Sequence, residues 1–488
     1  MSGFGGRIGA ALYLPAQRGR RVVVIVVVLL LAVVAGIGVG LGATVLTNRL
    51  AAWTNRLAAG EETVPAPPPV VLHPALRPAA ADGPAPTRTG VDAVLAPLIT
   101  AGGLGTLSGQ VVDPATGAVL WQRDPGAALV PGSTAKLLTM SAALLVLDHQ
   151  ARLRTTVLAG AEPGTVVLLG GGDPTLSAAA LGTATGYPGA ARLDDLVSQV
   201  RAAAHGPVRR VLVDVSRYVG DPFAPGWVPA DVADGYIAPI EPVMLDGGRA
   251  DPSLEDSPRA AKPASTAAAE LARRLGADPD TVAIGNAPPG AAVLGEVSSP
   301  PVQDLVATAL QRSDNVLAET LAREVARATG AQASFSGAAQ TILTVLSSHG
   351  FDVSRATLVD GSGLSVNDAV PATLLTELLS AAAAPDKSPA DEAHQQRTAA
   401  LRPLLVGLPV AGSSGTLADR YHGPAAGGRG WIRAKTGTLT SVNSLAGTVL
   451  DADGRMLVFA LLSNGPNPVS ARPRLDALAA GLRSCGCH

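Results

Sequence analysis

Ser133 and Lys136 stand three residues apart in the stretch PGSTAKLLT. Residues at that spacing share one face of a helix, so the lysine amine can lie beside the serine hydroxyl. A serine hydroxyl is a weak nucleophile until a base takes its proton. Arginine cannot be that base, because its guanidinium stays protonated. Lysine can, where burial and a nearby positive charge such as a helix N-terminus lower its pKa. The chain has 33 arginines but only four lysines, Lys136, Lys262, Lys387 and Lys435. Where a positive charge suffices it uses arginine, so a lysine at 136 points to an amine that must lose its proton. One SxxK alone is a weak signal, more often chance or an exposed i,i+3 pair than a catalytic one.

Two more clusters carry matching chemistry. QRSDNVLAETLAREV places Ser313, Asp314 and Asn315 at the start of an amphipathic helical pattern, and RAKTGTLT places Lys435, Thr436, Gly437 and Thr438 on a strand. Two of the four lysines thus fall in these clusters. Ser133 would attack a carbonyl while Lys136 takes its proton. The tetrahedral oxyanion needs two fixed N–H donors, which the backbone amides of Ser133 and Thr438 could supply. Ser313 and Lys435 could pass the proton to a departing amine, and Asn315 could hold an amide carbonyl. Asp314, Thr436, Gly437 and Thr438 count as substrate-facing, with Lys435 and the two threonine hydroxyls holding a carboxylate and Gly437 admitting the substrate backbone. This mechanism calls for no cofactor, and no metal-ligand set is visible. GGGDP at 170–174 lacks the lysine of a phosphate-binding loop and reads as a strand-ending turn. His149 and His422 are isolated, and Cys485 and Cys487 sit in SCGCH, which reads as a frayed tail, with a small strained disulfide ring or weak metal binding together with His488 as the alternatives.

These groups need a scaffold. LGTLSGQVVDPATGAVLWQRDP reads as a hairpin, STAKLLTMSAALLVLD as a buried helix, and GWIRAKTGTLT, SVNSLAGTVL and RMLVFALLSN as three strands, the last two joined by DADG. A closing helix should run from Pro468 to about Arg483. Early strands, a helical middle, late strands and a last helix predict an α+β domain with an antiparallel sheet, over 91–151 and 298–488. Between them, 152–297 alternates strand-like and helical stretches (VRRVLVDVSRY, STAAAELARRLGA) and reads as an inserted α/β domain.

Residues 22–46 carry no charge and are long enough to cross a bilayer, and Arg7, Arg18, Arg20 and Arg21 precede them. The positive-inside rule then predicts an uncleaved signal anchor, with residues 1–21 cytoplasmic and the catalytic part outside; a cleaved signal peptide is the rival reading. Glycines 36, 38, 40 and 42 give overlapping GxxxG spacings. Residues 47–90, with the tandem TNRLAAW/TNRLAAG and a Pro-rich run, read as a juxtamembrane segment and linker. A net charge of −2 without a long basic run argues against nucleic acid as a partner.

The order SxxK, SxN, KTG is a signature of serine penicillin-interacting enzymes. The chain resembles the peptidase S13 group of low-molecular-mass penicillin-binding proteins, D-alanyl-D-alanine carboxypeptidases of the PBP4/DacB type. The resemblance covers most of 91–482 and includes LLGGGDPTLS, VLVDVSRYVGDPFAPGW, DGSGLS (360–365), SSGTLADR (413–420) and LLSNG (461–465). It implies a penicillin-binding/β-lactamase-like transpeptidase domain that removes the terminal D-Ala from peptidoglycan stem peptides, that could cleave cross-links, and that β-lactams acylate. A large insertion before SxN is typical of the group, and the 180 residues from Ser133 to Ser313 imply one main insert. A class A β-lactamase would need a glutamate in an ExxLN-like segment. Glu319, Glu324, Glu377 and Glu392 lie between SxN and KTG, and none has that context. No GxSxG favours a Ser-His-Asp hydrolase. A non-catalytic cell-wall-binding protein is the remaining alternative, to be told apart by turnover of a D-Ala-D-Ala peptide.

Overall fold

Chain segments from both ends build the sheet that carries the KTG strand. In the computed structural model, which describes residues 83–385, 392–465 and 467–486, this sheet joins β1 (Thr106–Asp113), β2 (Ala118–Arg123), β10 (Ile432–Leu439), β11 (Val442–Leu450) and β12 (Met456–Asn464). Its order is β10-β11-β12-β1-β2, antiparallel throughout. Along β12, Phe459 and Leu461 pack into one core, while Val458, Ala460 and Leu462 pack into another. A strand covered on both faces needs no polar alternation, which is why this segment is a continuous apolar run.

Over one face lie α1 (Arg88–Thr100) and α10 (Pro468–Ser484), whose Val91, Leu95, Leu475 and Leu478 meet Leu107, Val111 and Phe459. The other face supports α2 (Lys136–Val146), α6 (Asn315–Ala328), α7 (Phe335–Ser348), α8 (Ala372–Ala383) and α9 (Glu392–Val406). Every residue of α2 from Lys136 to Leu144 is buried. A helix apolar on all sides belongs inside, so α2 forms the middle of this layer. A short pair, β3 (Ala128–Leu129) with β9 (Val370–Pro371), ties the approach to α2 to the entry of α8.

The second sheet holds β4 (Arg152–Ala159), β5 (Thr165–Leu169), β6 (Arg210–Asp214), β7 (Ala283–Ile284) and β8 (Val293–Pro301), in the order β7-β6-β5-β4-β8. Strands β5, β6 and β7 run parallel and the remaining pairs antiparallel. Parallel neighbours need crossovers, and α3 (Leu193–Ala203) and α4 (Pro263–Leu275) lie in them and bury their apolar stripes on the sheet. From β8 the chain enters α5 (Val302–Arg312), which leads to the SxN residues. GGGDP forms a turn after β5, with the Gly172 amide on the Pro242 carbonyl at 2.7 Å and Asp173 accepting from Thr175.

Four sequence expectations need correction or limits. Helix α1 begins at Arg88, inside the stretch read as linker, because Thr87 caps it through the Gly90 amide and Val91 anchors it in the core. The helix expected around Ser133 opens instead as a tight 3-10 turn, Gly132–Ala135, before α2. Gly132 has a φ of 53°, a left-handed conformation that glycine adopts readily. Cys485 is not part of a frayed end: it is buried in the core beside α10 and is disulfide-bonded. No helix among the described residues is long and apolar enough to cross a membrane, and the expected span 22–46, its GxxxG spacings and the TNRLAAW repeat lie outside those residues.

Gly171 provides a test of the second sheet. A Cβ there would stand 1.5 Å from the Arg154 carbonyl oxygen on β4, so alanine must push the two segments apart. We expect Gly171→Ala to destabilise the protein by about 3 kcal/mol, the upper range for overpacking. Thermal melting checks it, and an unchanged midpoint would show that the contact yields freely.

Candidate active site

The 3-10 turn lays Ser133 directly against β10. A Cβ on Gly437 would come within 2.4 Å of the Pro131 carbonyl and 3.0 Å of the Ser133 nitrogen, and one on Gly132 within 3.2 Å of the Thr438 nitrogen. Only glycine at 437 permits this approach, which brings the Ser133 and Thr438 amides together. The Ser444 hydroxyl donates to the Pro131 carbonyl at 2.5 Å, and the Asn464 side chain pairs with both backbone groups of Val130. The nucleophile's turn is thereby tied to β11 and β12.

Lys136 is completely buried. Its amine lies 3.0 Å from Ser133 Oγ, 2.5 Å from Asn315 Oδ1 and 2.7 Å from the Ser362 carbonyl oxygen. Burial draws it down to about 8, against the opposing pull of Asp360, Glu319, Asp314 and Asp368. An amine so placed can shed its proton near neutral pH and take one from the serine. Lys435 is equally buried, with its amine 2.9 Å from Ser313 Oγ and 2.8 Å from the Thr436 carbonyl. Burial, then the charges of Lys136 and Arg420, hold it well below an ordinary lysine.

Ser313 ends α5 in a left-handed conformation, φ 57° and ψ 32°, which costs a non-glycine residue about 1 kcal/mol. That kink lets Ser313 face Lys435 while Asn315, two residues onward at the start of α6, faces Lys136. Asp314 holds the kink. Its Oδ1 accepts the Leu317 amide as the cap of α6, and Oδ2 accepts from Tyr187 at 2.7 Å and Arg249 at 2.9 Å. Burial opposes its ionisation, yet Arg249, Arg259 and the cap keep the carboxyl far below its usual range. Its side chain has no exposed surface. Asp314, expected among the substrate-facing groups, therefore positions its neighbours instead.

The structure brings Ser133, Lys136, Ser313, Asn315 and Lys435 together and places Thr436, Gly437 and Thr438 along the same edge. Thr436 is buried, with its hydroxyl 2.8 Å from that of Thr416, whereas Thr438 is exposed. Two clefts meet at Ser133. One, of about 450 Å³, passes Ser313, Thr416 and Arg312; the other, of about 950 Å³, passes Thr438, Ser441, Tyr236 and Arg472. Among the described residues no group of three or more His, Cys, Asp or Glu is arranged to hold a metal ion. His149 bonds to the Leu144 carbonyl, away from the site.

The D-Ala-D-Ala carboxypeptidase 3 (S13) family matches residues 91–260 and 255–484. The chain is 48% identical over 433 residues to Carboxypeptidase DacB of Mycolicibacterium smegmatis, covering 88% of this chain and 91% of that one. The chain belongs to the S13 family. It is also 28% identical over 526 aligned positions to a D-alanyl-D-alanine carboxypeptidase of Actinomadura sp., covering 89% of this chain and 91% of that one. The fold is that of penicillin binding protein 4 (dacB) from Haemophilus influenzae, with a TM-score of 0.63 at 20% identity over 80% of this chain and 98% of the other. This is the penicillin-binding/β-lactamase-like α+β fold.

The S13 motifs do not reveal everything that shapes the site. Ser362, within DGSGLS, supplies a backbone carbonyl to Lys136. Asp360 holds that loop by accepting the amides of Ser362, Gly363 and Ser365, and Trp227 Nε1 donates to it at 2.8 Å. Glu319 accepts the Gly361 amide. Burial and then the facing Asp360 hold Glu319 and Asp368 above the ordinary carboxylate range. Tyr236 fixes Asn315 by accepting its Nδ2 at 3.0 Å.

The Lys136 amine sets a pH dependence. The base form grows as pH rises through about 8, so acylation of Ser133 by a β-lactam should accelerate from pH 6 and level off above that value. Stopped-flow acylation across pH 6–9 checks it. A rate that is flat or falls over this range would exclude a neutral Lys136 as the base.

Proposed function

We propose that the protein is a serine DD-peptidase that removes the terminal D-Ala from peptidoglycan stem peptides through an acyl-enzyme on Ser133. One observation carries this reading: a fully buried lysine amine 3.0 Å from the serine hydroxyl. Its S13 membership and its relatives named as carboxypeptidases support the substrate class. As Ser133 Oγ bonds the penultimate D-Ala carbonyl carbon, Lys136 takes the hydroxyl proton. The Ser133 and Thr438 amides receive the oxyanion. The proton returns to the departing amine with Ser313 and Lys435 in relay, and water then releases the acyl group with Lys136 again as base. Asn315 holds Lys136 through its oxygen and keeps one amide hydrogen for the substrate.

A β-lactam presents the same carbonyl and should acylate Ser133. The two clefts meeting at Ser133 suit a substrate that continues on both sides of the scissile bond, so cross-link cleavage belongs to the same reading. We place the enzyme outside the cytoplasmic membrane, tethered by residues 22–46, on the strength of that apolar run and the arginines before it. Residues 152–297 are read as the inserted domain, whose side chains hold the SxN turn and the DGSGLS loop.

Ser133→Ala should abolish covalent labelling by a fluorescent penicillin and release of D-Ala, with melting unchanged. Peptide mapping of the labelled wild type checks the assignment. Label persisting in the variant, or mapped to another residue, would overturn it.

A further inference from the structure

Of the groups that sequence chemistry assigns to a substrate carboxylate, only Thr438 presents itself fully to the cleft. The Lys435 amine is engaged by Ser313 Oγ and the Thr436 carbonyl and is fully buried. The Thr436 hydroxyl is buried against that of Thr416. A carboxylate in a partly dry cleft needs a fixed cation, and guanidinium is the group that keeps its charge there.

Arg472, on the second turn of α10, stands at that place. Its Nη2 lies 3.5 Å from Thr438 Oγ1, and it lines the same cleft as Ser133, Thr438 and Ser441. It feels the charge of Asp476 but forms no ion pair with it. Asp476, one turn further along α10, is held by Arg420 at 2.6 and 3.1 Å, and among the described residues no carboxylate lies within ion-pair distance of Arg472. Asp231, the acidic residue lining this cleft, makes its described contact with the Val228 amide.

We propose that Arg472 is the specificity-determining cation for the substrate's free C-terminal carboxylate, acting with Thr438. This rests on the DD-peptidase reading. It makes the last helix, which carries none of the three motifs, part of the substrate site. No bond is formed or broken by it; it selects peptides that end in a carboxylate over those that continue or are capped.

The test compares an N-acylated tripeptide ending in D-Ala-D-Ala with its C-terminal amide, on wild type, Arg472→Gln and Arg472→Lys, using the full chain. Arg472 is exposed, so the variants should melt as wild type does. For the acid, kcat/KM should fall about tenfold or more in Arg472→Gln and recover in part in Arg472→Lys. For the amide it should change by less than about twofold, so that discrimination between the two collapses. An equal fall on both peptides, or no fall on the acid, overturns the inference. Penicillin labelling of Ser133 that persists in that outcome leaves the DD-peptidase reading standing. Failure of wild type to release D-Ala from the acid overturns both.

Discussion

The site depends on keeping the Lys136 amine out of water. An ammonium buried this deeply disfavours its own charge, by about 3 kcal/mol for a drop from 10.5 to about 8. It is tolerable only with hydrogen-bond acceptors around it, and three arrive from separate segments: Ser133 from the turn ahead of α2, Asn315 from the start of α6, and Ser362 from the loop after α7. The same burial that makes the amine a usable base thus requires the three segments to converge. Much of the surrounding polar structure serves that convergence. Asp314 fixes the SxN turn between Tyr187 and Arg249, and Asp360 gathers three amides of the DGSGLS loop under Trp227.

Tyr187, Trp227, Tyr236 and Arg249 all come from the long stretch between the first motif and the second. Arg217 and Tyr218 of the same stretch, with Phe335 of α7, explain why α6 looks amphipathic in sequence but is buried over almost its whole length. Its polar side is covered: Glu324 pairs with Arg217 and Tyr218, and Arg323 stacks over Phe335. The segment that separates the motifs in sequence is what holds two of the catalytic elements in register.

The side chains that the structure brings together at Ser133 are legible in the sequence because each occupies a short local pattern: a helical i,i+3 pair, a helix start and a strand. The hairpin, the three late strands and the last helix were legible from period and turn residues for the same reason. What escaped was non-local or carried by backbone. Ser362 acts through a carbonyl that any residue would supply, so its type leaves no trace. Arg472 is one arginine among 33, and its role arises from a non-local contact of the last helix with Thr438 on β10. Asp314 reads as substrate-facing beside its motif neighbours, although aspartate at a helix start is a capping signal in its own right. Helix α1 was lost in its Pro-rich surroundings, with Pro97 inside it.

The central claim is that Lys136 must be able to give up its proton, and replacement by a permanently charged side chain tests it most directly. Acylation of Ser133 by a β-lactam is to be measured for Lys136→Arg against Lys262→Arg, a control at an exposed position outside the three motifs, with melting recorded for both. The account predicts that Lys136→Arg acylates at least about a hundredfold more slowly at equal foldedness, the usual span of a general base. Equal acylation rates in the two variants would contradict it.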